Sequence, residues 1–255
     1  MASAAARLLF ACGVPVVLLE RAAPLAVRRL VCFADAVWTG EARVEGVVAR
    51  RVESREEAEA ALARPGFIPL LVDPEGRELA ALRPRALVDG RMAKASLDTR
   101  REPGRVTVGL GPGFCAGRDV DAVVETQRGA ELGRVIWAGT AIADTALPAP
   151  VEGIDRERVL RAPGAGAFRG RARIGAVVAA GERLGEVAGA PVLAPIAGLV
   201  RGLIADGVEI EAGVKIGDLD PRGDRVDPAR VSDKGRAVAS GVLEAVLAGF
   251  CRSVG

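Results

Sequence analysis

The sequence predicts an α/β plus β protein built from several modules, and three observations lead to this prediction. In residues 1–95, helix-type and buried-strand patterns alternate, which is typical of an open α/β sheet. Residues 106–150 contain short strand-like runs separated by glycine turns, without helical periodicity. Residues 158–221 contain a glycine-marked repeat that predicts a small β-sandwich. The predicted domains are therefore an α/β domain over 1–95, a β-rich domain over 96–155, a sandwich over 156–224 and a terminal helix over 225–255.

Composition excludes several classes of function. The 255 residues carry a net charge of only +2, so no bulk electrostatic attraction favours nucleic acid or a membrane surface. Histidine is absent, which removes the usual general base and the commonest metal ligand. The four cysteines are scattered without a CxxC pair, so we predict no metal site. Because no cleavable signal or spanning apolar run is present, we expect a cytoplasmic protein.

The first domain reads as a truncated Rossmann-like unit. A helical pattern over 2–12 is followed by a short β-branched run over 14–19 that ends in Glu20. Helix, strand and terminal acid form the second half of a dinucleotide-type βαβ unit, and we expect its first strand and glycine loop to be missing from this sequence. The remaining predicted elements of the domain are a strand over 44–52, a helix over 54–63 with a Ser54 capping box, and strands over 68–72 and 86–89.

The third module contains an internal repeat. The segment GAVVAAGERLGEV, residues 175–187, matches GVEIEAGVKIGDL, residues 207–219, at a constant offset of 32 residues. Glycines at fixed positions supply tight turns and apolar residues alternate, so two similar hairpin units are expected to pack on each other. After the repeat, Ser232 caps a predicted helix that reaches Phe250 and packs on the body through apolar residues at helical spacing.

The run VLAPIAGLVRGLIADG, residues 192–207, together with the repeat resembles the core of biotinyl and lipoyl domains. Carriers of that family bear a modifiable lysine in an exposed hairpin. The matching stretch here is GDLDPR, residues 217–222, which has no lysine, and Lys215 lies inside the preceding strand. The resemblance therefore implies a barrel-sandwich, lipoyl-like fold used as a structural or docking module.

Nearly the whole chain resembles the YqeB-like family of accessory proteins to selenium-dependent molybdenum hydroxylases. The resemblance lies in PLAVRRL at 24–30 with FADAV at 33–37, in GLGPGFCAGRDVDAVVETQRG at 109–129, and in KIGDLDPR at 215–222. It implies an accessory or maturation protein that binds or hands over a cofactor component, with a molybdenum hydroxylase or its maturation proteins as partners. A nucleotide-dependent enzyme that modifies the cofactor and a non-catalytic interaction scaffold are the alternatives, and a homo-oligomer is compatible with each.

The glycine-rich loop is the strongest local signal for a ligand site. Gly109, Gly111 and Gly113, with Pro112 and Phe114, form a rigid loop whose amides could converge on an anion. A structural turn between strands explains the same residues equally well. The polar residues that follow the loop could orient a ligand, or could be surface charges of a β-domain; they are Asp119, Glu125, Thr126 and Arg128.

Two further candidates come from other segments. Asp89 and Lys94 lie at the end of a predicted strand, where ligands of α/β folds bind, although a solvated turn is the simpler interpretation. The tandem pair Arg28 and Arg29 beside aromatic residues suits a phosphate, pterin or nucleotide, and a packed helix with solvated arginines explains it too. No catalytic residue is predicted, and the cofactor is left open between a nucleotide and a molybdopterin species.

Overall fold

A computed structural model describes residues 1–64, 66–93, 98–144 and 150–252. The helices in this part of the chain are α1 (Ala2–Ala11), α2 (Ala36–Thr39), α3 (Arg55–Ala63), α4 (Leu79–Leu82) and α5 (Asp233–Arg252). The first ten strands are β1 (Leu18–Glu20), β2 (Glu41–Val44), β3 (Val47–Val52), β4 (Ile68–Val72), β5 (Ala86–Asp89), β6 (Val106–Leu110), β7 (Cys115–Ala116), β8 (Ala122–Val124), β9 (Val135–Ile136) and β10 (Gly139–Thr140). The remaining strands are β11 (Val159–Arg161), β12 (Gly166–Gly170), β13 (Val177–Val178), β14 (Arg183–Val187), β15 (Ala190–Leu193), β16 (Gly198–Leu203), β17 (Glu209–Ile210) and β18 (Lys215–Asp220).

These elements form two compact units, each built from segments distant in sequence. The first unit comprises Met1–Leu18, Val52–Ala146 and Val231–Gly255. The second comprises Leu19–Arg51 and Leu147–Arg230. The first mixes helices with a sheet and the second is mainly strands, which confirms the predicted α/β plus β class.

The first unit is organised by a four-stranded sheet of order β5-β6-β8-β9. β5, β6 and β8 run parallel, with Asp89 opposite Gly109 and Leu110 opposite Val124, and β9 joins antiparallel. β6 and β8 are buried throughout, as expected for parallel strands covered by other elements. The boundary predicted near residue 95 therefore falls between two neighbouring strands of one sheet.

The first and last helices pack together in this unit. α5 contacts α1 and lies against β6, β8 and β9. The Ser232 hydroxyl accepts a hydrogen bond from the N–H of Gly235 at 3.1 Å, which confirms the predicted cap, and Val238, Val242, Ala245 and Val246 are buried as the helical spacing predicted. None of the helices in the described ranges combines the length and hydrophobicity that crossing a membrane requires.

The sequence repeat in the second unit is a structural repeat. When 32 is added to their residue numbers, β11, β12, β13 and β14 correspond to β15, β16, β17 and β18, and the strand ends agree within one or two residues. The two sheets, β11-β18-β16-β13 and β15-β14-β12-β17, also exchange under this operation. Their apolar faces form one core that includes Phe168, Leu184 and Val200. The predicted pairing of two similar units is therefore confirmed.

Residues 19–51 of the second unit contain two short 3-10 segments, Arg29–Val31 and Phe33–Asp35, then α2 and a β2–β3 hairpin. The hairpin turns at Glu45 and Gly46, which both have positive φ. The strand predicted over 44–52 is thus the end of β2, a turn and β3. The strand predicted over 14–19 is shorter and later, Leu18–Glu20, because Gly13 to Pro15 continue the turn after α1.

Gly241→Ala in α5 should lower the free energy of unfolding by about 1–3 kcal/mol, because a methyl group there would overlap the Gly133 carbonyl oxygen and the Val124 side chain. This loss outweighs the gain of about 1 kcal/mol that alanine brings to an exposed helix position. Chemical denaturation measures the change. Ser240→Ala, at the exposed neighbouring position, is the control and should leave stability within about 0.5 kcal/mol. Equal stability of the two variants would contradict this close helix packing.

Candidate functional site

Several predicted site residues of the first unit lie at one edge of its sheet. Because β5, β6 and β8 are parallel, their carboxyl ends lie side by side. β5 ends in Asp89, β6 leads into the loop 111–114, and β8 leads into residues 125–128. We call these residues the loop edge. Ligands of open α/β sheets bind at such edges.

Packing fixes the glycines of the loop. A Cβ on Gly109 would lie 2.5 Å from the Phe114 ring, so this glycine lets the phenylalanine fold back over β6. Gly111 has φ +74°, its N–H donates to the Val124 carbonyl at 2.9 Å, and a Cβ there would lie 2.5 Å from the Thr126 hydroxyl oxygen. Gly113 also has positive φ, +109°. The loop is therefore held tightly against both neighbouring strands.

Three hydrogen-bonding groups of the loop edge are not used by the described residues. The N–H groups of Gly113 and Phe114 and the hydroxyl of Thr126 make no hydrogen bond there. Phe114 and Thr126 are buried and Gly113 is half-buried. Two successive backbone amides and a hydroxyl are the donors that an oxyanion needs.

Glu125 serves a different purpose from the one predicted. Its carboxylate is 1% exposed and accepts the N–H groups of Thr126 at 2.7 Å, Gln127 at 2.6 Å and Ile142 at 2.8 Å. These bonds satisfy the buried charge and tie the turn after β8 to a later segment. Glu125 thus shapes the edge and does not present a free carboxylate to a ligand.

Asp119 does not lie at the loop edge, because it comes before β8, at the strand end opposite to the one that leads into residues 125–128. Its carboxylate is likewise occupied. It accepts both Nε and Nη2 of Arg118 at 2.9 Å and the N–H of Cys115 at 2.9 Å. The Arg118 guanidinium holds the pKa of Asp119 below its usual value. The pair closes the turn that follows β7, and the Cys115 thiol points to the Ala116 carbonyl. Neither the carboxylate nor the thiol is arranged as a catalytic group.

Asp89 is the centre of a third internal network. Burial raises its pKa, but hydrogen bonds from Arg91 and from the Thr99 hydroxyl at 2.5 Å outweigh burial and bring the pKa below its usual value. Arg91 donates to both carboxylate oxygens and also to Asp98 at 2.7 Å. Lys94, the other predicted residue of this segment, lies outside the described residues.

Arg128 pairs with Asp233 at the start of α5, with Nη2 2.7 Å from Oδ1. This arginine holds the pKa of Asp233 well below its usual range. The pair joins the turn after β8 to the terminal helix. The guanidinium remains about two-fifths exposed, so it can reach solvent.

Arg28 and Arg29 belong to the second unit, where they do different things. Arg29 binds Asp35 through Nε at 2.8 Å. Arg28 packs against β16. Gly202 has no side chain that would block it, and the Leu203 N–H donates to the Val27 carbonyl at 2.9 Å, which holds the preceding residue against the strand. The neighbours of Arg28 are charged residues that the sequence interpretation missed: the buried Asp218, Asp220 and Arg158 and the partly buried Arg201. Comparing the two repeats position by position was the signal that could have found them.

The described residues contain no group of three histidine, cysteine, aspartate or glutamate side chains placed to hold a metal ion. A polar cavity of about 280 Å³ lies beside α3 and the end of β4. Four carboxylates and two arginines line it, so it does not suit an anion; these residues are Glu53, Asp73, Glu75, Glu78, Arg55 and Arg77. The sequence interpretation did not single out this cavity.

Glu125→Gln should lower the free energy of unfolding by about 2–3 kcal/mol, because the new amide group faces backbone donors and leaves at least one N–H unsatisfied. Urea denaturation measures the change. Glu131→Gln, which removes only a half-exposed ion pair with Arg134, should cost less than about 1 kcal/mol. If the two losses were equal, Glu125 would not be organising the loop edge.

Asp89→Asn should destabilise the protein at neutral pH by an amount that shrinks in acid. The folded-state pKa of Asp89 lies below its unfolded value, so its contribution is complete above about pH 4 and is lost as pH falls through the folded pKa. Urea unfolding of both proteins from pH 7 to pH 3 tests this. A stability difference that stayed constant with pH would contradict the ionised Asp89–Arg91 pair.

Comparison with known proteins gives one relative of substantial identity. The chain is 44% identical over 247 residues, 97% of its length, to the "Uncharacterized protein YqeB" of Escherichia coli (strain K12). The chain spans about half the length of this relative, 46%. No protein-family model matches the chain.

A solved structure also matches part of the chain. It is the product-bound ectoine utilization protein EutE (DoeB) from Ruegeria pomeroyi, with 28% identity over 33% of this chain and 27% of that chain. Its TM-score of 0.24 is too low to support an argument about fold or function. The chain is thus a homologue of YqeB along almost its whole length, which supports its assignment to a YqeB-like family.

Proposed function

We propose that the chain belongs to an accessory protein that matures a selenium-dependent molybdenum hydroxylase, and that its loop edge binds an anionic cofactor component. The observation that carries the binding site is the set of unused donors at the loop edge. The amides of Gly113 and Phe114 and the hydroxyl of Thr126 make no hydrogen bond with the described residues, whereas the neighbouring Glu125 carboxylate is occupied by internal hydrogen bonds. The maturation role rests on the resemblance to the YqeB-like family.

The proposed ligand carries a phosphate group, as both a nucleotide and a molybdopterin species do. Amides and a hydroxyl bind phosphate oxygens without needing a formal positive charge. Arg128, still partly exposed beside its partner Asp233, lies on the same turn as Thr126 and would add a cation at the rim. The chemistry offered is binding and presentation, since the described site holds no imidazole or activated nucleophile.

We also propose a Rossmann-like origin for the N-terminal segment and a lipoyl-like fold for the sandwich. In sequence, α1 is followed by β1 and its terminal Glu20, and this order supports a Rossmann-like origin for residues 1–20. Burial raises the pKa of Glu20, so this carboxyl is a weaker acceptor for a ribose hydroxyl than a solvated carboxylate. The two four-stranded sheets, which correspond to each other under the 32-residue shift, support a lipoyl-like sandwich in the second unit. The proposed maturation role in the cytoplasm rests on the family resemblance.

A scaffold function is the second candidate, and one observation favours it. At the place where a lipoyl-type carrier bears its lysine, Asp220 is fully buried and chelated by Arg222 through Nε and Nη2, both at 2.8 Å. A turn fixed in this way suits docking better than a swinging carrier arm. This scaffold would present the ligand-binding unit to the hydroxylase.

Hydroxylase purified from host cells that lack the protein should have lost activity and should carry an incomplete cofactor. Wild-type protein should restore both, and Gly113→Val should not, because a β-branched side chain at φ +109° distorts the two amides. Native mass spectrometry of the purified protein should find a phosphate-bearing adduct in the wild type and none in the variant.

Gly117→Val is the matched control. Gly117 also has positive φ, +88°, but nothing lies within 4 Å of its Cβ position, so the strain is similar while the loop edge is untouched. Full restoration by Gly113→Val would overturn the site. An unchanged hydroxylase in cells without the protein would overturn the maturation role.

A further inference from the structure

The second unit contains a compact group of charges around two buried aspartates. Asp218 is 1% exposed and Asp220 0%. Asp218 binds Arg158, Arg201 and the Lys215 ammonium, the last at 3.5 Å, and Asp220 binds Arg222 and Arg201. We call these residues, together with Arg28, the basic cluster; its members are Arg28, Arg158, Arg201, Lys215, Arg222, Asp218 and Asp220. It holds five cations against two carboxylates.

The repeat provides an internal comparison for this cluster. The positions 32 residues earlier hold Arg169, Arg183 and Glu186 where the cluster has Arg201, Lys215 and Asp218. In that first copy Arg169 and Arg183 are exposed, and Arg183 pairs with Glu186 as an ordinary surface ion pair. The two copies therefore share this charge pattern, and the second copy differs from the first at further positions.

These differences bring in more positive than negative charge. Asp220 and Arg222 stand where the positions 32 residues earlier hold Ala188 and Ala190. Arg158 and Arg28 are added from segments outside the repeated hairpins. A sandwich that needed only a buried ion pair would not require these extra cations, because each buried charge costs free energy unless it is compensated.

The backbone is shaped to admit Arg28. The pairing of β16 with β18 shifts register between Val200 and Gly202, which places Arg201 in a bulge. A Cβ on Gly202 would lie 2.7 Å from the Val27 carbonyl oxygen and 3.0 Å from Cδ of Arg28. The glycine thus lets the Arg28 side chain pass directly over the strand.

Arg28 is the least satisfied cation of the cluster. Its Nε is buried and makes no hydrogen bond with any of the described residues, and its Nη2 makes only a long one, 3.4 Å, to the Pro228 carbonyl. Burial lowers its pKa to about 10, and repulsion by Arg201 and Arg158 acts in the same direction against attraction by Asp218 and Asp220. Both aspartates are already bound by the other cations.

We propose that the basic cluster is an anion site of the second unit, in which Arg28 binds a phosphate group, free or as part of a larger ligand. An excess of positive charge suits a doubly charged oxyanion, and guanidinium groups match its geometry. Lys215 and Arg222 are about two-fifths exposed and form the accessible rim. Asp218 and Asp220 position the arginines and do not touch the ligand.

Thermal unfolding of the full chain in potassium phosphate, against potassium chloride of equal ionic strength, tests this site. Phosphate should raise the Tm of the wild type, since a ligand that binds only the folded state stabilises it. Arg28→Gln should weaken the apparent phosphate affinity by roughly tenfold or more. Arg29→Gln, the adjacent arginine already bound to Asp35, is the matched control and should respond like the wild type.

A second pair of variants keeps the test valid if Arg28→Gln folds poorly. Lys215→Gln should reduce the phosphate response, whereas Arg183→Gln, its counterpart in the first repeat, should not. Adding adenosine monophosphate distinguishes the sources: tighter binding than inorganic phosphate indicates a larger ligand, and equal binding indicates the free anion. The site is wrong if phosphate and the nucleotide act no differently from chloride, or if both members of each pair lose the response equally. The same titrations are repeated in a Gly113→Val background, which removes the proposed loop-edge response. A response that persists there and is lost on Arg28→Gln supports the basic cluster whether or not the loop-edge proposal holds.

Discussion

The buried carboxylate of Glu125 is the interaction on which the loop edge depends. It accepts three backbone N–H groups, two from the turn that follows β8 and one from Ile142. A turn fixed in this way holds Thr126 against Gly111, and Gly111 can approach because it has no side chain. The glycine loop, the turn and the end of β5 are then brought together by the parallel register of three strands. Internal hydrogen bonds use the charged groups, and the remaining donors are backbone amides and one hydroxyl.

The second unit shows how the two copies of a repeat can differ in their buried charges. Two copies of the same four-strand pattern exchange under a shift of 32 residues, and their shared apolar positions fill one core. The core keeps the inward positions of both copies apolar, so the two copies can differ in charge at positions that face outward or lie under residues 19–51. The buried charges around Asp218 lie in this second category. At the corresponding positions of the first copy, Arg183 and Glu186 form an ion pair that is more exposed than the one between Lys215 and Asp218.

The sequence was most informative where local chemistry decides the structure. The Ser54 and Ser232 caps, the strands at 68–72 and 86–89 and the repeat were all predictable, because capping residues, β-branched runs and spaced glycines act over a few residues. The sheet that joins β5 to β6 and β8, and the packing of α5 on α1, were not, since they depend on contacts between segments far apart in sequence. The same reason explains the candidate site. Glu125 and Asp119 were recognised as polar residues near a glycine loop, but only the fold shows that they bind backbone amides and Arg118.

The availability of the Gly113 and Phe114 amides is the central claim, and amide NMR during a titration with inorganic phosphate and then adenosine monophosphate tests it most directly. We predict that the resonances of Gly113 and Phe114 shift progressively and saturate, whereas the resonance of Gly117 in the next turn does not move. Gly113→Val should abolish the shift at Phe114. Resonances of Gly113 and Phe114 that stay fixed while both ligands are added would contradict an anion site at the loop edge.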